Sequence, residues 1–428
     1  LTGSAEAFLG RHGRDVFWLG LAAACAGLIT RDPSRLFHPR FWAEDGVFWY
    51  HDAYTYGAVS LLWPLTGYLQ SLPRLVALAA QPFPLVHAPL LFCLASLAIQ
   101  LAPVGLLLSA RAAAIIPSAT ARLLLAAFYV GMPNSGETFL ILTDADWHLA
   151  ILSCLLIILP APRTAAARYL QYATLLIGGL SGPFCLFLAP IAWWHVLTTR
   201  RDRGHGLVQA VLISGAAVLQ FLIIIIEGHL QGQRHFAPLG ASLPMLASIV
   251  TGQVLLGGLI GTSSFATLAA RPVWAAGGIA DYACALIGLA IILLAVIRGN
   301  GAFRKFLVFA TLIIASALAS PTASVSVPQW DVLNIPGVGS RYWIIPILAW
   351  FCSVLVLAAQ PSLWRWPARL LLAAFIIGMV ADWQYPSFQP TGFDAAARAF
   401  AHAPPGTVAR FPENPNPSAW IMTLTKKS

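Results

Sequence analysis

The residues of this 428-residue chain best suited to chemistry are two adjacent carboxylates set among aromatic rings, in Arg40-Phe-Trp-Ala-Glu-Asp-Gly-Val-Phe-Trp-Tyr-His-Asp52. Side by side, Glu44 and Asp45 repel each other, and the bulky rings around them withhold water. Both effects penalise the charged form and raise at least one pKa. A carboxylate tuned this way can take a proton from an alcohol, and the two together can hold a divalent cation such as Mg, Mn or Ca. The bland alternative is a solvated loop in which Asp45-Gly46 makes a simple turn.

Two further groups have the right residue types. Pro133-Asn-Ser-Gly-Glu137 is followed by Asp144, Asp146, Trp147 and His148. Glu137 and Asp146 both stand where a helix begins, so each suits a helix N-terminus, and Asp146 reads as a cap for the helix after it. In Gly339-Ser-Arg341-Tyr342 an arginine opens an apolar run. It can grip a phosphate by paired hydrogen bonds, or it can simply snorkel to the membrane surface. Arg234 and His235 form a weaker group of the same type.

Several chemistries are excluded. The chain has no HExxH zinc pair, no GxSxG elbow and no phosphate-binding Walker loop. The six cysteines (Cys25, Cys93, Cys154, Cys185, Cys284 and Cys352) each fall inside an apolar run with no CxxC spacing, which reads as small buried hydrophobes. The net charge of +9 does not indicate nucleic acid, because the basic residues are dispersed between apolar runs instead of forming one face.

What must position these residues is a set of membrane helices. Hydrophobic residues make up 58% of the chain and charged residues only 10%, against roughly 25% charged in soluble domains. Lipid is therefore the solvent for much of the surface. The expected fold is an all-α polytopic membrane protein with about eleven spans. They lie near 15–30, 85–109, 115–132, 147–160, 168–181, 183–198, 206–226, 280–297, 304–320, 342–360 and 367–381. The two spans between 168 and 198 require a turn at Ser181-Gly182-Pro183; without it they form one kinked helix. With the N-terminus inside and the C-terminus outside, fourteen basic residues face the cytoplasm with only Glu6, Asp15 and Asp202, and thirteen of the sixteen carboxylates face outward. A site built on acids would then be extracytoplasmic. A transmembrane module covers 1–381, with outer loops 31–84 and 227–279, and a small outer region covers 382–428. Leu61–Ala80 reads as short interfacial helices, and Leu243–Ile260 as interfacial or re-entrant. Gly178-Gly179 and Gly257-Gly258 read as close helix contacts.

In organisation the chain resembles bacterial members of the GT-C superfamily, membrane glycosyltransferases that use polyprenyl-phosphate sugars. The resemblance rests on Trp42-Ala-Glu44-Asp45-Gly46 in a long outer loop after the first span, the interfacial helices after it, the many short spans and the small outer C-terminal region. Leu180-Ser-Gly-Pro-Phe184, Gly339-Ser-Arg-Tyr342 and Phe411-Pro-Glu-Asn-Pro-Asn-Pro are similar to stretches in membrane proteins of surface-polysaccharide synthesis. It implies an inverting transfer from a sugar on undecaprenyl or decaprenyl monophosphate to a hydroxyl of a glycan or glycolipid acceptor. The site would face the periplasm from the inner membrane. By position Asp45 is the base and Glu44 the second candidate; a divalent metal, if used, would sit on the two. Arg341, Tyr342, Glu137, Arg234, His235, His148 and Trp42 are the expected substrate contacts. Partners other than membrane lipids and these substrates are not implied. Two rival readings are a lipid-linked sugar flippase or transporter, and an O-antigen ligase or polymerase-like enzyme.

Overall fold

The computed structural model describes residues 13–200, 202–230, 237–271, 274 and 277–428. The chain folds as a bundle of apolar helices: α1 (Gly13–Arg31), α2 (Ser71–Ala80), α3 (Ala88–Leu108), α4 (Ala119–Gly131), α5 (Ala145–Ile158), α6 (Ala165–Gly179), α7 (Cys185–Thr198), α8 (Arg203–Leu230), α9 (Leu243–Ile260), α10 (Thr262–Ala269), α11 (Ile279–Arg298), α12 (Gly301–Ala319), α13 (Ile344–Ala359) and α14 (Arg365–Ala381). Among the described residues, seven helical segments are long and apolar enough to cross a membrane, so the chain is a polytopic, helical membrane protein. Each of the eleven expected stretches coincides with a helix. The stretch from 168 to 198 is two helices, α6 and α7, and Gly182 takes the left-handed φ of +92° in the turn between them.

Leu61–Ala80 resolves into short pieces, as expected: a 3₁₀ turn ends at Leu62 and α2 begins at Ser71. Leu243–Ile260, expected as an interfacial or re-entrant stretch, begins against Gly277 beside the start of α11 and ends against Asp382 beside the end of α14. It is one continuous rod, long enough to cross, with π-helical turns over Val250–Leu256. Its buried polar side chains are satisfied inside the bundle: Thr251 donates to the Asp281 carbonyl and Gln253 to the Leu333 and Ile335 carbonyls.

Helix α13 runs through the centre and is almost wholly buried. Phe351 on it stacks on Phe128 of α4 at 4.0 Å, and Phe375 of α14 meets both rings edge-on. Glycine permits a close crossing where α14 meets α9. A Cβ at Gly378 would lie 2.9 Å from the Gly258 and Leu259 carbonyl oxygens. The expected close contact at Gly179 is present too, against Ala216 of α8. Outer helices such as α11 expose Leu286, Ile287, Leu289 and Leu293, an apolar face suited to lipid.

The last turns of α1, α4 and α14 meet at one end. There the buried Arg31 guanidinium donates to the carbonyls of Val130, Met132, Trp383 and Asp382 and to the Tyr385 hydroxyl. Cation–π contacts with Tyr385 and Trp383 complete its surroundings, so each nitrogen of a charge costly to bury has at least one acceptor. The C-terminal region caps this end. Helix α15 (Phe393–His402) and the antiparallel hairpin β1 (Val408–Pro412) and β2 (Ile421–Thr425) enclose Phe393, Phe400, Phe411, Met422 and Leu424. This hairpin is the one named sheet among the described residues. Phe41 packs on Phe393 at 5.4 Å, so the region shares its core with the first long loop.

Candidate functional site

The acidic pair is held by backbone geometry. Ala43 has a left-handed φ of +46°, and its N–H donates to the Asn414 carbonyl at 2.6 Å. That conformation costs a non-glycine residue roughly 1–2 kcal/mol, so the C-terminal tail must hold it in place. The turn aims Asp45 into the first coil of a π-helix, Asp45–Tyr50, which continues as an α-helix to Tyr56. Asp45 is 3% exposed. Its Oδ1 accepts from the Thr143 N–H at 3.0 Å and the Thr143 hydroxyl at 2.8 Å, while that hydroxyl accepts from Trp49 Nε1 at 2.9 Å. Burial pushes Asp45 up to about 7; Thr143 restrains the rise and Glu44 adds to it. Glu44 is half-buried, and burial raises it too, while the field of Arg341 pulls it back.

A third carboxylate completes this cluster. Glu413, 1% exposed, abuts Gly46, where an added Cβ would overlap its carboxylate. Neither oxygen meets hydrogen-bond geometry with a partner, and burial followed by repulsion from Asp45 holds its pKa well above the usual range. The Gly46 and Val47 N–H groups at the start of the π-helix lie close enough to offset part of that. Gly46 is therefore more than a turn residue: it makes room for an acid from the far end of the chain.

The second and third groups of the sequence converge. Arg341 Nη1 lies 3.1 Å from Glu137 Oε2, and the Gly339 and Arg341 N–H groups also donate to that carboxylate. The Glu137 N–H donates to the Ser340 hydroxyl. Arg341, expected either to grip a phosphate or to snorkel, is paired with Glu137, and its Nη2 reaches the Thr322 carbonyl at 3.5 Å and the Tyr342 hydroxyl at 3.3 Å. Tyr342 is buried and its hydroxyl is tied to Thr322. Asp144, half-buried beside these groups, is raised well above the usual range by burial, with Arg341 opposing.

Three expectations fare differently. His148 is a core residue: its Nδ1 meets the Tyr129 hydroxyl at 2.7 Å and its Nε2 the Thr138 carbonyl at 3.2 Å, which leaves no ring nitrogen for a substrate. Asp146 is not the cap of α5. Asp144 takes that position without a side-chain cap bond, and Asp146 lies in the first turn with Oδ1 unpaired. Arg234 and His235 lie outside the described residues.

Beside the acids is a cavity of about 500 Å³, within the roughly 300–1,000 Å³ range of small-molecule pockets. Trp42 and Glu137 line it, as do Arg35, Asn134, Asp382 and Asn414. Sequence reasoning missed Thr143, Glu413, Arg35 and Asn134. Of these Glu413 and Asn134 carried a signal, their places in Phe411-Pro-Glu-Asn-Pro and Pro133-Asn-Ser-Gly-Glu137. Among the described residues no three His, Cys, Asp or Glu side chains converge into a metal-binding set.

No family model matches the chain, and neither a curated protein nor a solved structure does.

Proposed function

We propose that this protein is an inverting glycosyltransferase of the GT-C kind. In this reading it moves a sugar from a polyprenyl monophosphate to an acceptor hydroxyl on the extracytoplasmic face of a bacterial inner membrane. The observation that carries the reading is Asp45: a buried carboxylate, locked by Thr143, with its pKa brought to about 7 by burial beside Glu44, on which Arg341 acts in turn. A base is most effective when its pKa lies near the working pH.

The acceptor hydroxyl gives its proton to Asp45 as its oxygen bonds to the anomeric carbon. The bond from that carbon to the phosphate oxygen breaks on the opposite face, and the lipid phosphate departs as a monoester dianion. Arg341 offsets the charge that develops there, with Glu137 holding the guanidinium in place. The clustering of carboxylates at the end where α1, α4 and α14 finish supports a site at a membrane surface rather than in mid-bilayer. Arg111 and Gln171 meet near Pro160, at the other end of α5.

The test is release of polyprenyl monophosphate from labelled donors, with the anomeric configuration of the product read by NMR. Inversion is expected, and Arg341→Gln should lower kcat on the order of 100-fold. A product of retained configuration, or an Arg341→Gln enzyme of normal kcat, would remove this mechanism.

A further inference from the structure

A cationic feature lies at the end of the bundle away from the acids. Helix α12 finishes beside the site, where Thr322 just past it bonds the Tyr342 hydroxyl, so its N-terminus is at the opposite end. There Lys305 is 5% exposed. A lysine near the end of a membrane helix ordinarily extends its ammonium into water. This one folds back over the first turn of its own helix. Its Nζ lies 3.7 Å from where a Cβ on Gly301 would stand, and 5.2 Å from the centre of the Trp194 ring in the last turn of α7. Among the described residues no carboxylate pairs with it and no oxygen accepts from it. The Trp194 ring offsets part of the charge, but an ammonium has three donors to place. Nζ also keeps accessible surface of its own, unlike the sealed Nδ1 of His195 next to that ring.

The surroundings add positive charge instead of cancelling it. Gly301 and Ala302 are the first two residues of α12, so their N–H groups have no acceptor within the helix, and the helix dipole places partial positive charge there. The capping Asn300 spends its Oδ1 on the Phe303 N–H and its Nδ2 on the Ile115 carbonyl. From Tyr282 to Trp330 the chain carries Arg298, Arg304 and Lys305 and no acid. Arg304 turns to the Val296 and Ile297 carbonyls at the end of α11. A buried ammonium and a helix N-terminus repel each other, and a phosphate set against both relieves both. Glycine at 301 leaves the first turn bare for it. Apolar side chains flank the spot: Val308, one turn along from Lys305, and Leu197, one turn from Trp194, are 42% and 73% exposed. They give acyl chains a surface that a free phosphate would not need. We infer that Lys305 and the N-terminus of α12 hold the phosphate of an anionic phospholipid, in the leaflet opposite the acids. This inference does not rest on the transfer reaction proposed above.

The experiment is native mass spectrometry of the full chain in detergent, titrated with phosphatidylglycerol, phosphatidylcholine and inorganic phosphate. Phosphatidylglycerol should bind at least tenfold more tightly than phosphatidylcholine. Lys305→Met removes the ammonium, and Gly301→Asp supplies a carboxylate within reach of Nζ. Each should weaken phosphatidylglycerol binding tenfold or more and leave phosphatidylcholine unchanged. An acid in the first turn also favours the helix, so Gly301→Asp should lose the lipid while its unfolding temperature holds or rises. Arg163→Gln removes an exposed charge from the α5–α6 link at the same end and should leave binding intact. Equal binding of the two lipids, unchanged phosphatidylglycerol binding in either Lys305→Met or Gly301→Asp, or an equal loss in Arg163→Gln would overturn the inference. Inorganic phosphate bound at Lys305 with no preference for phosphatidylglycerol would overturn the lipid as its occupant.

Discussion

Replacing Thr143 by valine removes one hydrogen bond from Asp45 with little change in shape, and its effect can be worked out. The hydroxyl donates to Oδ1 at 2.8 Å, a bond that stabilises the ionised carboxylate. Such charge-assisted bonds contribute roughly 1.5–3 kcal/mol, and 1.36 kcal/mol corresponds to about one pH unit. Asp45 should therefore titrate about one to two pH units above its present value of about 7. The Thr143 N–H still donates at 3.0 Å, so the shift stops there. The assay is infrared titration of the protonated carboxyl band assigned by its loss in Asp45→Asn. The acid limb of any pH–rate profile should move by the same amount, and Thr143→Ser should restore the wild-type midpoint. Trp49 loses its acceptor in Thr143→Val, so the unfolding temperature should fall as well. A midpoint unchanged to within a few tenths of a pH unit would refute the assignment of Thr143 as the group that sets Asp45.

Three other outcomes follow from the same geometry. Asp45 has an ordinary value of 3.8 when unfolded and about 7 when folded, so the folded state holds its proton longer, and stability is lost as pH rises from about 4 through 7. Glu44, Asp144 and Glu413 are raised as well and act in the same direction, so thermal unfolding should occur at a higher temperature at pH 5 than at pH 8, and Asp45→Asn should narrow the gap. Gly46→Ala sets a methyl against the Glu413 carboxylate and should cost about 1–3 kcal/mol; partial proteolysis should then release the C-terminal tail sooner, and an unchanged cleavage rate would contradict that packing. His148→Leu leaves the Tyr129 hydroxyl unpaired and should lower stability by about 1–3 kcal/mol while leaving the pH profile of activity in place, whereas a displaced profile would return His148 to the site.

The helices were legible because lipid demands long apolar runs with their hydrogen bonds made internally, and Ser181-Gly182-Pro183 was enough to divide α6 from α7. Leu243–Ile260 was set apart by charge, since counting it as a crossing would invert the bias of basic residues downstream, while the carbonyl partners of Thr251 and Gln253 on other segments leave no trace in the sequence. The acidic pair stood out by residue type and its aromatic setting. Its partners did not, because Thr143 has no chemical signature and Glu413 arrives from the opposite end of the chain. Arg341 and Glu137 read as separate candidates for the same reason: a contact across some 200 positions leaves no trace in spacing. His148 misled in the opposite direction. Its type suggested chemistry, and only the Tyr129 and Thr138 contacts assign it to the core.

The most direct test of the central claim is sugar transfer from a panel of radiolabelled polyprenyl-phosphate donors by purified, folded protein, run beside Asp45→Asn and Glu44→Gln. The account predicts transfer by the wild type from at least one donor, loss on the order of 100-fold or more in Asp45→Asn, and a smaller loss in Glu44→Gln. Absence of transfer from every donor, or an Asp45→Asn protein as active as the wild type, would contradict it.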